Sequence, residues 1–405
     1  MPNKVHRAAA GDSWNSLSIR YFGEPSQSGR VKSANPGVLE PFSPGATIII
    51  PSDAPDNLGT ETDGLVLRIG GVSFKHVTKL TLTRRIDAVD TVEVISPQAA
   101  TDPFEDLITP LSFRSLDVAE SGELIFRGTM VTVVPRLTME GSMVRFGGYS
   151  LPGVLSDCSM PVTDKSVEFR NMNLRDIASQ LVEPFSLKLQ SPSDVGGPFR
   201  RVKLKREDKV LTFLARLAKQ RQLLIRSSPN GELVLAAPPE LAKPVATFQQ
   251  DAPPVLGIEP TFSPQNYYSH TTVTRTNKRG RPGGKHTVVN QLAIDQGVVR
   301  PIAISIRDIT RGELPKAAAA AAGRMLAGAV TYSLKLATWR DPNGGLWVPG
   351  TTVELEAPSV FVRRPYQFQI RSVKFDRDGK KDTATLSLML PGAFGGTPPA
   401  VLPWS

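Results

Sequence analysis

"LVLRIGGVSFKHVTKLTLTRRIDAVDTVEVIS", residues 65–96, decides the fold class of this 405-residue chain. Apolar Leu65, Leu67 and Ile69 alternate with Val66 and Arg68, and Leu80 and Leu82 alternate with Lys79, Thr81 and Thr83. A period of two sends successive side chains to opposite faces of a strand, whereas a helix needs a 3.6-residue repeat, so strands are predicted. The pattern continues through "VAESGELIFRGTMVTVVPRLTMEGSMVRFGGYS" (118–150), where "ESGE" and "MEGS" supply hairpin turns.

C-terminal to this strand-rich stretch the period changes. In "VEFRNMNLRDIASQLVEPF" (167–185), Leu174, Ile177, Leu181 and Val182 share one helical face, with Asn173 as N-cap and Pro184 as stop. A second helix follows in 207–225, striped by Val210, Phe213, Leu214, Leu217 and Ala218, and runs into a hairpin turned by "PNG". Strands resume from about 255. A third helix, "ELPKAAAAAAGRMLAGA" (313–329), holds six consecutive alanines, whose small side chains suit close packing against another surface. Alternating strands return to residue 390, and "GAFGGTPPAVLPWS" (392–405) reads as an extended tail.

N-terminal to the opening stretch, "SDAPDNLGTETDG" (52–64) is almost free of apolar residues and reads as a linker. The first fifty residues form a unit of their own. "GDSWNSLSIRYFG" (11–23) offers Asp12 and Ser13 as helix caps, with Trp14, Leu17 and Tyr21 at helical spacing. "SGRVKSANPG" (28–37) gives a second short helix ended by Asn35 and Pro36, and "SPGATIIIP" (43–51) a turn and a β-branched strand.

This βααβ pattern resembles the LysM family in Gly11-Asp12, the apolar helix, Asn35-Pro36, and Pro44-Gly45 before Ile48. It is also similar to the LysM-like tail protein X of contractile phages, through Tyr21 to Gly23 and Ala34 to Gly37. The resemblance nominates Asp12, Ser13, Asn35, Pro36 and Gly45 as a groove that takes N-acetylglucosamine in wall-binding relatives. The other reading is that these residues are caps and turns the fold requires, with the groove reused to dock another baseplate protein. Docking is favoured because no attached hydrolase is evident.

Residues 65–392 resemble the baseplate hub proteins of contractile, Mu-like phages. The matching stretches are "LTRRIDAVDTVEV", "FRGTMVTV", "GYSLPGVLSDCSMPV", "FRNMNLRDIASQLVEPF", "LARLAKQRQLLIRSSPNGELVL" and "LWVPGTTVEL". The resemblance implies an α+β, mostly β chain: a LysM-like domain (1–52), a linker (53–64) and a first tube-like β-barrel (65–150). An inserted α+β domain (151–253) follows, with 311–340 packing on it. A second barrel is built from 254–310 and 341–392, and 393–405 is an extended tail. It further implies a homotrimeric symmetry adaptor between a hexameric tail tube and a trimeric central spike. Tube or tube-terminating ring proteins and the spike would be its neighbours, with baseplate wedge proteins held through the LysM-like domain. The setting would be the virion tail baseplate, assembled in the host bacterial cytoplasm.

Composition and chemistry agree with a structural role. Thirty-five prolines and 33 glycines are more punctuation than helical proteins tolerate. The net charge of +10 arises from 48 basic and 38 acidic residues spread along the chain, a weak pointer to acidic partners. Cys158 stands alone, so no internal disulfide is expected and a reducing assembly compartment is the simplest inference. No secretion signal, membrane span or membrane anchor is read. The four histidines have no metal-ligand spacing and are taken as surface or hairpin residues, so no metal, cofactor or enzyme activity is expected. "GYSLPG" (148–153) has Pro152 where a nucleophile elbow needs glycine, which leaves Ser150 at a strand end.

"TNKRGRPGGKH" (276–286) concentrates cations. It fails the phosphate-loop pattern, since His286 stands where serine or threonine is required. Arg279-Gly280-Arg281-Pro282 matches an AT-hook core, which keeps a DNA-binding protein open as an alternative. Because β-branched runs flank it, Lys278, Arg279, Arg281 and Lys285 are read as a solvated hairpin tip, in transient contact with genome DNA or the tape measure.

Overall fold

The computed structural model describes residues 4–8, 12–22, 28–36, 38–43, 45–50, 64–74, 76–97, 105–139, 141–161, 167–276, 282–306, 309–379, 381–396 and 399–405. The linker read at 53–64 lies outside these, apart from Gly64. The described chain is mostly β and separates into two compact units, one of residues 1–78 and 93–148, the other of 79–92 and 149–405.

The first unit begins with a βααβ module: β1 (Lys4–Arg7), α1 (Trp14–Phe22), α2 (Ser28–Ser33) and β2 (Thr47–Ile50). β1 and β2 pair antiparallel, Lys4 opposite Ile50 and Arg7 opposite Thr47. β2 alternates between exposed and buried residues, so Ile48 and Ile50 join Trp14, Leu17, Val31 and Phe42 in a small core. Trp14 meets Phe42 edge-on at 4.6 Å.

The rest of this unit is an antiparallel sheet of β3 (Leu65–Ile69), β4 (Val72–Phe74), β6 (Thr91–Pro97), β7 (Ser115–Glu120), β8 (Glu123–Thr138) and β9 (Gly141–Ser150), ordered β4-β3-β7-β8-β9-β6; the strand between β4 and β6 in sequence, β5 (Lys79–Arg85), belongs to the second unit. The alternation read at 65–69 is imperfect: Val66 is buried together with Leu67 and Ile69. At Gly148 the neighbouring strand crosses so closely that a Cβ would stand 1.8 Å from the Thr129 carbonyl oxygen. Only glycine fits there.

In the second unit, residues 151–236 hold α3 (Val154–Asp157), β10 (Val167–Met172), α4 (Leu174–Val182), β11 (Leu189–Gln190), β12 (Phe199–Leu204), α5 (Val210–Gln220), β13 (Leu224–Ser227) and β14 (Leu233–Ala236). The expected stripes of α4 and α5 are buried and face the inward residues of β12 to β14 in one core. Each such leucine or phenylalanine contributes about 1.5–3 kcal/mol over leaving it in water. Asn173 caps α4 by accepting the Asp176 amide at 2.9 Å.

The remaining strands are β15 (Thr247–Gln249), β16 (Val255–Phe262), β17 (His270–Thr276), β18 (Pro282–Val289), β19 (Pro301–Ile306), β20 (Val330–Leu336), β21 (Thr352–Ala357), β22 (Val362–Asp378) and β23 (Lys381–Met389); helix α6 (Gln291–Asp295) precedes β19 and α7 (Leu314–Ala329) precedes β20. One sheet runs β16-β20-β23-β22, with β21 and β15 beside the first half of β22 and β5 beside its second half.

Three boundaries differ from the sequence reading. Residues 254–310 were expected in the second barrel, but only β16 joins the large sheet; β17, β18 and β19 pair with one another. Residues 311–340, expected to pack on the inserted domain, do so only in part: α7 contacts α5 and its Ala327 shares a core with Leu224, but it also lays Leu314, Ala317, Ala318 and Ala321 on Val273 and Ile309, while β20 enters the large sheet between β16 and β23. β15, inside the expected 151–253 domain, pairs with β21 of that same sheet. Local patterning sets strand and helix; partners distant in sequence decide which sheet a strand joins.

Among the described residues the tail is not extended. Residues 391–396 form turns, and Ala393, Phe394, Leu402 and Pro403 are buried. Gly396 lies against α7, where a Cβ would stand 2.2 Å from the Ala319 carbonyl oxygen, and a Cβ on Gly323 would stand 2.0 Å from that of Ala393. The alanine run and Gly323 make this approach possible.

Candidate functional site

The five residues nominated in the N-terminal module lie within one βααβ unit, and four of them hold it together. Ser13 is the N-cap of α1: its Oγ accepts the Ser16 amide at 3.1 Å, and Ser16 Oγ accepts the Ser13 amide at 2.8 Å. The Trp14 amide donates to the Glu40 carboxylate. Asp12 Oδ2 meets His6 Nε2 at 2.8 Å with both side chains nearly buried, so His6 is not the surface histidine expected from sequence. Asn35, 5% exposed, donates its amide to the Val31 and Ile49 carbonyls at 2.7 Å each and accepts the Ile49 amide at 2.6 Å. It stitches the end of α2 to β2. Gly45 has φ +85° and donates to Ala8 O at 2.7 Å, while Pro36 is exposed. Gly11, Gly23, Gly37 and Pro44 lie outside the described residues.

The basic stretch falls between antiparallel strands, His270 opposite Val289 and Thr276 opposite Pro282, so it connects a hairpin. Lys278, Arg279 and Arg281 lie outside the described residues. Lys285 is exposed on β18 opposite Thr274. The strand after the basic stretch, β18, ends at Val289 because Asn290 caps α6 by accepting the Ala293 amide.

Among the described residues no group of three histidines, cysteines or carboxylates could hold a metal ion, and no helix is long and apolar enough to cross a membrane. Ser150 is 1% exposed, and a 3-10 turn, Leu151–Gly153, follows it directly.

A polar joint inside the second unit escaped the sequence reading. Asp90 is 3% exposed; its backbone amide donates to Ser227 Oγ at 2.8 Å, and its carboxylate accepts the Arg85 amide at 3.3 Å and lies 3.9 Å from Arg84 Nε. Burial pushes the Asp90 carboxyl up to about 6, against the opposing pull of Arg84, the Arg85 amide, Arg226 and Ser227. Beside it, Arg371 at the β22 bulge donates to Asp87 at 2.9 Å and covers the Phe394 ring. Arg221 forms a second joint, 2.6 Å from Glu313 and stacked 4.1 Å above Phe199. One signal was present: Arg84 shares the inward face of β5 with Leu80 and Leu82.

The same unit carries an apolar cleft of about 520 Å³, lined in part by Phe262, Tyr267, Val330, Phe361 and Trp404, with Arg363 as its one charged lining residue. Phe262 stacks edge-on against Phe361 at 5.9 Å and Trp404 at 5.4 Å. The arrangement suits contact with another surface better than bond making.

Comparison with known proteins agrees. Residues 152–237 match the family described as "Baseplate hub protein gp44-like, second domain". The chain is 21% identical over 336 residues to the baseplate hub protein gp44 of Escherichia phage Mu, covering 80% of this chain and 87% of the relative. Its fold is similar to that of a 43 kDa tail protein of prophage MuSo2 from Shewanella oneidensis, with a TM-score of 0.69, 24% identity, and coverage of 82% and 99%. It also resembles an E. coli type VI secretion component described as structurally similar to the T4 tail proteins gp27 and gp5. That likeness has a TM-score of 0.51 and 10% identity and covers 83% and 80% of the two chains. Together the matches support a phage baseplate hub protein.

Proposed function

We propose that this chain is the central hub of a contractile-tail baseplate and acts as a homotrimeric symmetry adaptor. In this reading the β3–β9 sheet and the β16–β23 sheet are two tube-like barrels. Three copies then present six barrels to a hexameric tail tube on one side and three-fold symmetry to the central spike on the other. What supports it most is the order along the chain: a gp44-like second domain at 152–237 stands in sequence between strands β3 to β9 and strands β15 to β23. Such a protein works through large, rigid contact areas and has no need of a reactive centre. Its place is the virion tail, with assembly in the host cytoplasm and the tube or tube-terminating ring proteins as neighbours.

The N-terminal module is a LysM-like docking unit that grips a wedge protein of the baseplate. Docking is favoured over glycan binding because the polar groups of Asp12, Ser13 and Asn35 are spent on the module's own caps and strand closure. The basic hairpin tip is a solvated contact for passing DNA or tape measure, with no base readout.

Light scattering on the purified chain, alone and with the trimeric spike protein, tests the hub reading. Three copies, and a stoichiometric complex with one spike trimer, are expected. A monomer indifferent to the spike overturns it. Retention on purified peptidoglycan would replace docking by glycan binding.

A further inference from the structure

Two three-strand meanders in this chain share one plan. β7, β8 and β9 are 6, 16 and 10 residues long, and β21, β22 and β23 are 6, 17 and 9, each strand lying next to its neighbour in sequence. Their long hairpins end in unlike ways. The β22–β23 hairpin is packed to its tip: Val373, Phe375 and Ala384 are buried, Asp378 lies opposite Lys79 of β5, and Arg377 closes the end by donating to Asp382 at 2.6 and 2.7 Å. The β8–β9 hairpin instead becomes an arm exposed on both faces. Every described residue from Val134 to Met139 is exposed, as is Met143 after the turn, and Leu137 is 85% exposed.

At the base of this arm the chain entering β7 presents two more apolar side chains. The Met130 amide donates to the Arg114 carbonyl at 2.8 Å, which sets the segment before Arg114 alongside the outgoing β8. In that segment Leu111 and Phe113, 86% and 62% exposed, are held at φ +59° and +48°. Left-handed backbone is strained for bulky side chains, and two such residues turned to solvent within three positions point to a contact. A soluble surface rarely carries so many large apolar side chains at one end of a sheet unless a partner covers it.

We infer that this end of the first sheet, the β8–β9 arm with Leu111 and Phe113, is the surface that grips the three-fold partner, the spike, and not the six-fold tube. This rests on the hub reading, in which the two meanders take equivalent places in a ring of six. A hexameric ring seated on the hub has six identical subunits, so it needs a side on which the two barrels of each copy present like surfaces. The hairpin ends are unlike: apolar and projecting on one barrel, ion-paired and packed on the other. A side built from them offers three apolar ends, which a trimer matches one for one. Charge narrows the partner further. Arg136 is exposed on the arm, so the receiving pocket is apolar with carboxylates at its rim, and a cationic rim would oppose it. Unbranched methionine lets Met139 and Met143 adapt to an irregular pocket wall.

The full chain, the trimeric spike protein and isolated tail tubes test it. In Leu111→Asn/Phe113→Asn the new residues accept left-handed backbone better than leucine or phenylalanine, so this variant should melt no lower than wild type, which also shows that it folds. Leu137→Ser/Met139→Ser changes the arm at two exposed positions. By light scattering both variants should stay trimeric, and both should still cap tail tubes in electron micrographs. Both should bind the spike protein about tenfold or more weakly than wild type. Spike binding at wild-type strength in either variant overturns the assignment. So does loss of tube capping with spike binding kept, which would give this end to the tube, and so do trimers that fall apart, which would give it to the contact between copies. Each of these leaves the hub reading standing, because wild type still forms a trimer that binds the spike. A wild-type chain that is monomeric and indifferent to the spike overturns both.

Discussion

Asp90 shows how one buried carboxyl couples distant parts of the second unit. Its folded-state value of about 6 lies above the ordinary 3.8, so the fold prefers the neutral acid. The stability that goes with this preference is complete below about pH 4 and is lost as the pH rises through about 6. The gap corresponds to on the order of 3 kcal/mol. Asp90→Asn, which cannot ionise, should gain on wild type by that order between about pH 4 and 7, while the two converge in acid. Denaturant midpoints across this range check it, and parallel curves would show that Asp90 titrates normally. The joint was illegible in the sequence because Ser227 is 137 positions away, whereas the caps Ser13 and Asn173 act within three residues and were readable. Likewise the sequence nominated Asp12 and Asn35, but not the internal bonds that occupy them, since those need His6, Val31 and Ile49 in space.

Among the elements, α7 gives the sharpest test because two effects have opposite signs. Gly323→Ala should stabilise an isolated helix by about 1 kcal/mol. Here the new methyl would meet the Ala393 carbonyl at 2.0 Å, and overpacking of this kind costs roughly 1–3 kcal/mol. A net loss is expected, read as a lower melting temperature; a gain would mean that the turn at 391–396 does not press on the helix. The alanine run foretold a close neighbour, but not that the neighbour would be the glycine-rich tail, whose composition had suggested an extended segment. In the N-terminal module, Asn35→Ala removes three bonds to backbone groups, at about 1–3 kcal/mol for each group left unsatisfied. So small a core has little reserve. Limited proteolysis should then cut within the first fifty residues while residues 65–390 remain resistant; uniform resistance would show that Asn35 is dispensable to the fold.

For the whole molecule, the alternation in 65–150 and 330–390 made a mostly-β chain legible, and the helical stripes marked the inserted region. Sheet membership of β15, β17 to β19 and β20 was not legible, since a strand's pattern names its buried face and not its neighbour. Two similar strand barrels per chain are what a symmetry adaptor requires. Cryo-electron microscopy of the purified oligomer, viewed down its axis, tests this most directly. A hub of this kind gives three copies whose six barrels stand about sixty degrees apart around one channel. Three lobes without the intervening three, or an open chain of copies, would contradict it.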